Sequence, residues 1–237
     1  MFCSVHNHTE MSNLKLRDSL NKIPAMINKA IEYGFNGLAI TDHEVISGHI
    51  EALNCGDKIR NEHPDFKIIL GNEIYLIDES EYKNADKYWH FILLAKDAKG
   101  HEQLRQLSSR AWERSYMERG QRRTPTFYQD FIDVLGENKG HLIASTACLG
   151  GRFATSILRK DSDSINFMIS WMIDTFGEGN CFLEMQDSDS DDQQEVNRYI
   201  VQLSEFFDIP YIVTQDAHYL DKKDLALFEK FLNSKAE

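Results

Sequence analysis

Apolar positions along the chain follow two periods. Seven short runs are rich in β-branched and other apolar residues: 2–6, 37–41, 67–76, 90–95, 141–145, 181–186 and 211–214. Between them lie longer stretches in which apolar residues return every three or four positions, as in Ile23, Met26, Ile27, Ala30 and Ile31, or Val196, Ile200, Leu203, Phe206 and Phe207. The first pattern predicts strands and the second amphipathic helices. Strands that alternate with helices are expected to run parallel and to be covered on both faces, which explains why HFILLA and HLIA show no polar alternation. Seven such units suggest a closed or nearly closed α/β barrel, with an open doubly wound sheet as the competing arrangement. No linker, repeat or low-complexity tract divides the sequence, so residues 1–237 are expected to form a single domain. The longest stretch without a predicted element is 116–126, and the acidic run Asp187 to Asp192 is expected to open a helix, where carboxylates meet the positive end of its dipole.

Charge adds a constraint. With 26 basic and 38 acidic side chains the formal charge is −12, which argues against broad adhesion to nucleic acid unless bound cations or a local basic patch reverse the sign. No apolar run is long enough to cross a bilayer, and no basic segment followed by an apolar stretch opens the chain, so neither membrane insertion nor secretion is expected. The four cysteines (Cys3, Cys55, Cys148, Cys181) are widely spaced without a CxxC pair. They indicate neither a disulfide framework nor a zinc ribbon, and fit a reduced, cytoplasmic setting.

In a parallel barrel the carboxyl ends of all strands surround one mouth. His6 and His8 close the first run, and a period of two puts both rings on the same face. Thr41-Asp42-His43 ends the second run, Gly71-Asn72-Glu73 lies in the third, Cys148 follows the fifth, and Asp216-Ala217-His218 follows the last. Imidazole, carboxylate and thiolate are ligands of zinc, manganese and iron, and packing gives no reason to gather them at one end of a core. They exceed what one tetrahedral ion needs, so two or three divalent metal ions sharing a carboxylate such as Glu73 are expected. Such a cluster suits phosphoester hydrolysis, with deamination or amide hydrolysis as chemical competitors.

HNHTEMS, ITDH, GNEIYL, HFILLAKD, STACLGG and TQDAHYL, in this order and spacing, resemble the successive motifs of the PHP (polymerase and histidinol phosphatase) family. Within it the similarity is to the PHP domain of bacterial DNA polymerase III alpha subunits, and it covers essentially the whole chain. The resemblance implies a distorted seven-stranded (β/α)7 TIM-like barrel with a trinuclear site. One ion would be held by His6, His8, Glu73 and Asp216, a second by Glu73, His90 and Cys148, and a third by Asp18, His43 and His218. Glu73, Asp216 and His43 are the expected catalytic residues. A longer stretch, NLKLRDS, ends in Asp18-Ser19, where polymerase members usually carry Asp-Gly. His90 begins its run where the other candidates end theirs, so an antiparallel hairpin from Glu73 or a bent strand is needed to bring it in. Cys148 stands where phosphatase members often have His, which favours the polymerase branch. Asp42 is expected to orient an imidazole rather than to ligate, and His49, His63, His101 and His141 match no motif.

The segment 104–123 holds six arginines against two glutamates. Arg110 and Arg114, one helical turn apart and interleaved with Trp112 and Tyr116, are candidate DNA contacts, and Arg152 after Gly150-Gly151 is a candidate phosphate clamp. Three divalent cations would add roughly +6 at the mouth, enough for an acidic protein to accept an anionic strand there. The expected activity is a metal-dependent phosphodiesterase, a 3′-to-5′ exonuclease on single-stranded or frayed DNA, with DNA and other replicase subunits or a polymerase domain as partners. A small-molecule phosphatase and a non-catalytic replicase module are the alternatives.

Overall fold

The computed structural model, which describes residues 2–118 and 120–234, contains ten strands and eight helices. In chain order the strands are β1 (Cys3–Ser4), β2 (Gly37–Ile40), β3 (Lys67–Ile77), β4 (Trp89–Ala95), β5 (Tyr116–Glu118), β6 (Gln121–Arg123), β7 (Thr126–Phe127), β8 (Leu142–Ser145), β9 (Cys181–Gln186) and β10 (Tyr211–Thr214). The helices are α1 (Ile23–Glu32), α2 (His49–Ile59), α3 (Ala98–Glu113), α4 (Tyr128–Leu135), α5 (Arg152–Arg159), α6 (Ser162–Phe176), α7 (Asp191–Phe207) and α8 (Leu225–Asn233). Seven strands follow one another round the sheet in the order β1-β2-β3-β4-β8-β9-β10. A bridge between Asn7 and Ala217 nearly closes the ring, giving the distorted seven-stranded α/β barrel expected from the sequence. None of the helices is long and apolar enough to cross a membrane among the described residues.

The strands sort their side chains by a period of two. On β4, Phe91 and Leu93 pack outward with α3, α4 and α6, while Ile92 and Leu94 turn inward with Ala39 of β2. His90 shares the inward face. On β2, Leu38 and Ile40 meet Ile23, Ile27 and Ala30 of α1. An aromatic group of Phe91, Phe131, Trp171 and Phe176 fills the outer layer, with ring centroids 5.2–6.0 Å apart.

Two expectations are corrected. The strands are not all parallel: β4 runs antiparallel to both β3 and β8, and only a single 3₁₀ turn, Glu79–Glu81, lies between β3 and β4. The link from Ile77 to Trp89 is too short for a crossover helix, so the chain turns back on itself. The stretch 116–126 also contains structure, a β5–β6 hairpin pairing Tyr116 with Arg123 and the start of β7 beside β3. Three-residue strands carry too few positions for a period to show. Arg119, one of the six arginines of this segment, lies outside the described residues. Asp191 and Asp192 do occupy the first turn of α7.

His49 opens α2 and is buried. Its Nε2–H donates to the Gly71 carbonyl (2.8 Å), which leaves Nδ1 to accept from His101 Nε2 (3.1 Å). Burial, reinforced by His101, holds His49 down at about 4. Unfolded, it would take up a proton near about 6.5. The unfolded chain therefore binds more protons between these values, and stability present above pH 6.5 is lost as pH falls towards 4. His49→Gln keeps a donor for Gly71 and an acceptor for His101. In urea titrations of metal-free protein, the drop in stability from pH 7 to pH 5 should be smaller in this variant by about 2 kcal/mol. Identical drops would show that His49 does not carry this dependence.

Candidate metal centre

The inward strand ends build the site. His6 and His8 follow β1 with their Nε2 atoms 3.3 Å apart, while Asn7 between them points the other way and bonds the carbonyls of Ser4 and Ala39. The antiparallel register pairs Tyr75 with His90, and this is what carries His90, at the start of β4, to the mouth where the other strands end. Glu73 stands two residues before Tyr75 on the same inward face. Three non-glycine residues adopt positive φ at these strand ends: Glu44 (54°) after His43, Ala147 (58°) before Cys148, and Asp216 itself (49°). Strain of this kind persists where the surroundings over-determine the backbone, and here it clusters at the site. Gly150 is needed for a different reason, since a Cβ there would lie 2.8 Å from the His90 ring.

Three groups of donors converge: His6, His8 and Asp216; Glu73, His90 and Cys148; and His8, His43 and His218. Asp216 Oδ1 lies 3.2 Å from His6 Nε2 and 3.0 Å from His8 Nε2. Glu73 reaches into more than one group: Oε1 is 2.6 Å from His90 Nδ1, and Oε2 is 2.6 Å from His43 Nδ1 and 3.3 Å from His8 Nε2. Cys148 Sγ is 3.4 Å from His90 Nδ1. Asp18 Oδ2 approaches His43 Nε2 at 3.1 Å, so the longer loop does deliver its carboxylate to the third group.

These residues fit divalent cations. Both Glu73 oxygens, Asp216 Oδ1 and Asp18 Oδ1 are buried with no hydrogen-bond partner among the described residues, an unusual condition for carboxylates. Ligands at about 2.0–2.1 Å from a tetrahedral ion stand about 3.3 Å from one another, close to the separations in the first group. The outer nitrogens of the rings are also spoken for. In its neutral form His6 donates Nδ1–H to Glu184 Oε1 (2.5 Å), His8 donates Nδ1–H to Ser12 Oγ (3.1 Å), and His218 donates Nδ1–H to the Asp216 carbonyl (2.8 Å). Each Nε2 lone pair is thereby left for the centre, the arrangement that ligating histidines require.

Electrostatics point the same way. Burial opposes charge on His6, yet Asp216, Glu184 and Glu73 raise it to about 10. Its neighbour His8 is lowered to about 3 by burial and by His43 and His218. Burial would lift Glu73, but His90 and His43 hold its carboxyl well below the usual range. The Cys148 thiol is raised by burial and by the carboxylates Asp216 and Glu73. A pocket this rich in carboxylate draws positive charge.

Four residues support the site without having stood out in the sequence reading. Glu184 of β9 is fully enclosed and accepts from Ser145 Oγ (2.5 Å), Thr214 Oγ1 (2.6 Å) and His6. Its signal was available: CFLEMQ places one acid between apolar neighbours, Leu183 and Met185, inside a strand. Tyr75 stacks on His90 (centroids 4.4 Å) with its hydroxyl 3.1 Å from His43 Nδ1. Ser12 and Thr9 both donate to Asp42, Ser12 Oγ at 2.7 Å and Thr9 Oγ1 at 2.8 Å. Asp42 thus orients His8 through Ser12 rather than its neighbour His43.

The three arginines are placed differently from the sequence expectation. Arg114 makes a bidentate pair with Asp130 (2.5 and 2.6 Å) over the Phe127 ring, and Arg110 binds Asp133 (2.6 Å). Arg110 on α3 and Arg114 just after its end both face α4, whose acids neutralise them. Arg152 donates to Ser164 Oγ and Tyr128 Oη (both 3.1 Å) and lies over Phe167. A cavity of about 370 Å³ opens beside Tyr75 and His90, and its lining includes Lys87, Tyr88 and Arg123 but none of these three arginines. A larger cavity of about 490 Å³, lined by Tyr128, Phe131 and Trp171 among others, contains no residue of the donor groups.

The comparisons with known proteins agree with this geometry. A family model described as PHP domain matches residues 4–188. A DNA-directed DNA polymerase of Bacillus phage SPbeta is 40% identical, covering 97% of this chain and 19% of that protein. The DNA polymerase III alpha subunit of Aquifex aeolicus strain VF5 is 30% identical over 94% of this chain and 19% of its own length. The chain thus spans about a fifth of the length of these curated relatives. Among solved structures, one from Bifidobacterium adolescentis, provisionally named a metal-dependent phosphoesterase, matches with a TM-score of 0.56 at 14% identity, covering 92% of this chain and 88% of that one. An amidohydrolase from Chromobacterium violaceum matches with a TM-score of 0.53 at 13% identity, covering 98% of this chain and 97% of that one. With the motifs at the strand ends, the donors around Glu73 and a family match over most of its length, the chain belongs to the PHP domain family.

Proposed function

We propose that this chain is a metal-dependent phosphoesterase, specifically a phosphodiesterase that removes nucleotides from the 3′ end of single-stranded or frayed DNA. The observation that carries the reading is the set of buried carboxylates of Glu73, Asp216 and Asp18, crowded against imidazole nitrogens with oxygens left without a well-formed hydrogen bond, amid histidines with outward nitrogens already bonded. Its relatives named as DNA polymerases favour DNA as the substrate, and a polymerase domain or other replicase subunits as partners. In this reading residues 1–237 form one PHP domain.

The ligands would be His6, His8, Glu73 and Asp216 for one ion, Glu73, His90 and Cys148 for a second, and Asp18, His43 and His218 for a third. When bound, two or three zinc, manganese or iron ions would supply Lewis acidity for a phosphoryl oxygen and a nucleophile at neutral pH. Glu73, Asp216 and His43 would be the catalytic residues of this centre. His6, His8 and Glu73 have side chains no more than 1% exposed, whereas His90, Asp216 and His218 are 25%, 21% and 19% exposed. The phosphodiester therefore approaches over His90, Asp216 and His218, and the enclosed residues hold the centre dry from beneath.

Oligonucleotides labelled at the 3′ or the 5′ end test the reading directly. Metal-loaded protein should release the 3′ label first, lose activity after dialysis against a chelator, and recover it with manganese or zinc. Intact oligonucleotides of both kinds would end the nuclease reading. Turnover of nucleoside monophosphates alone would make the protein a small-molecule phosphatase.

A further inference from the structure

The 370 Å³ cavity lies on the flank where His90 meets solvent, and two cations line it. Arg123 rests over the Tyr88 ring (4.4 Å) and is paired with Glu118 (3.0 Å), so its charge is matched. Lys87 is different. It is half-buried, and among the described residues it has no carboxylate within 4.0 Å. Its ammonium donates to the Thr155 hydroxyl of α5 (2.8 Å) and sits 4.8 Å from the Trp89 ring centre. Asp86, the remaining acid of the lining, is solvent-exposed. An ammonium has three donors, and a neutral hydroxyl uses one of them. Its other two donors remain for water or for an anion that displaces it.

We propose that Lys87 holds the phosphate of a single nucleotide seated in this cavity, with the phosphate directed towards His90. The proposal rests on the phosphoesterase reading and names the subsite of the same centre. Thr155 holds the ammonium of this lining residue, and Tyr75, Tyr88, Leu16 and Ala85 provide the less polar wall. A cavity of this size lies at the low end for small ligands, so it admits one nucleotide and excludes a base pair. The terminal nucleotide must then be unpaired to enter.

Calorimetric titration of the metal-loaded protein with thymidine 5′-monophosphate tests this, with thymidine as the phosphate-free probe. Lys87→Ala should weaken monophosphate binding about tenfold or more, the size expected for a charge-assisted bond, and Lys87→Arg should restore most of it. Thymidine should bind wild type and Lys87→Ala alike, and elemental analysis should find the same metal content in both. In hydrolysis of thymidine 5′-(p-nitrophenyl) phosphate the loss should fall on KM more than on kcat, because binding to the ground and transition states falls together. Equal monophosphate affinity in wild type and Lys87→Ala, or no monophosphate binding by wild type, overturns the proposal. Equal weakening of thymidine does so too, since the cavity itself would have changed. A wild type that hydrolyses no phosphodiester but binds monophosphate through Lys87 would overturn the phosphoesterase reading and leave the nucleotide subsite standing.

Discussion

Glu73→Gln is expected to remove metal and hydrolysis together while leaving the barrel folded. The amide is the same size as the carboxylate, so packing around this enclosed position changes little. What changes is chemistry. Both carboxylate oxygens face donor groups without a hydrogen bond, one near His90 and the other near His43 and His8. An amide puts two hydrogens where a cation would need a lone pair, and it removes the charge that joins the groups. Elemental analysis after dialysis should show less bound metal than in wild type. Hydrolysis should fall by roughly a thousandfold or more, corresponding to the several kcal/mol that a Lewis acid supplies. Circular dichroism should be unchanged. Wild-type metal content and rate would exclude Glu73 from the centre.

The second large effect is expected at a residue that would touch neither metal nor substrate. Glu184→Ala leaves the Ser145 and Thr214 hydroxyls and His6 Nδ1–H without their acceptor inside the barrel. Removing one member of a buried network of this kind costs about 3–5 kcal/mol. His6 also loses the group that fixes its ring, which should weaken metal binding by about 10- to 100-fold. Urea denaturation of metal-free protein reads the first effect and competition with a chelating dye reads the second. A destabilised variant with undiminished metal affinity would assign Glu184 to folding alone.

The sequence made much of this legible because strand ends in a parallel barrel share one rim. His6, His8, His43, Cys148, Asp216 and His218 could be placed from that rule alone. His90 could not, since its position depends on β4 running backwards, and that follows from the shortness of a link rather than from any residue in it. Glu184 was visible as a lone acid between apolar neighbours, but strand patterns say nothing of partners drawn from β8 and β10. The arginines show the opposite error. Counting bases along Arg110 and Arg114 left out Asp130 and Asp133, which belong to another helix and neutralise them only in three dimensions. Arg123, at the end of the same segment, reaches the cavity because a hairpin turns it there.

Where the ring closes, its first and last staves are joined beside the site, through His8 N–H to the Ala217 carbonyl (3.0 Å) and Ala217 N–H to the His6 carbonyl (3.3 Å). During synthesis His6 and His8 emerge long before Asp216 and His218. A nascent chain that has passed Cys148 can already gather Glu73, His90 and that thiol, but the first group stays incomplete until residue 216 has left the exit tunnel. Cation capture at the first group is thereby tied to the arrival of the last strand, so that loading the centre also latches the barrel.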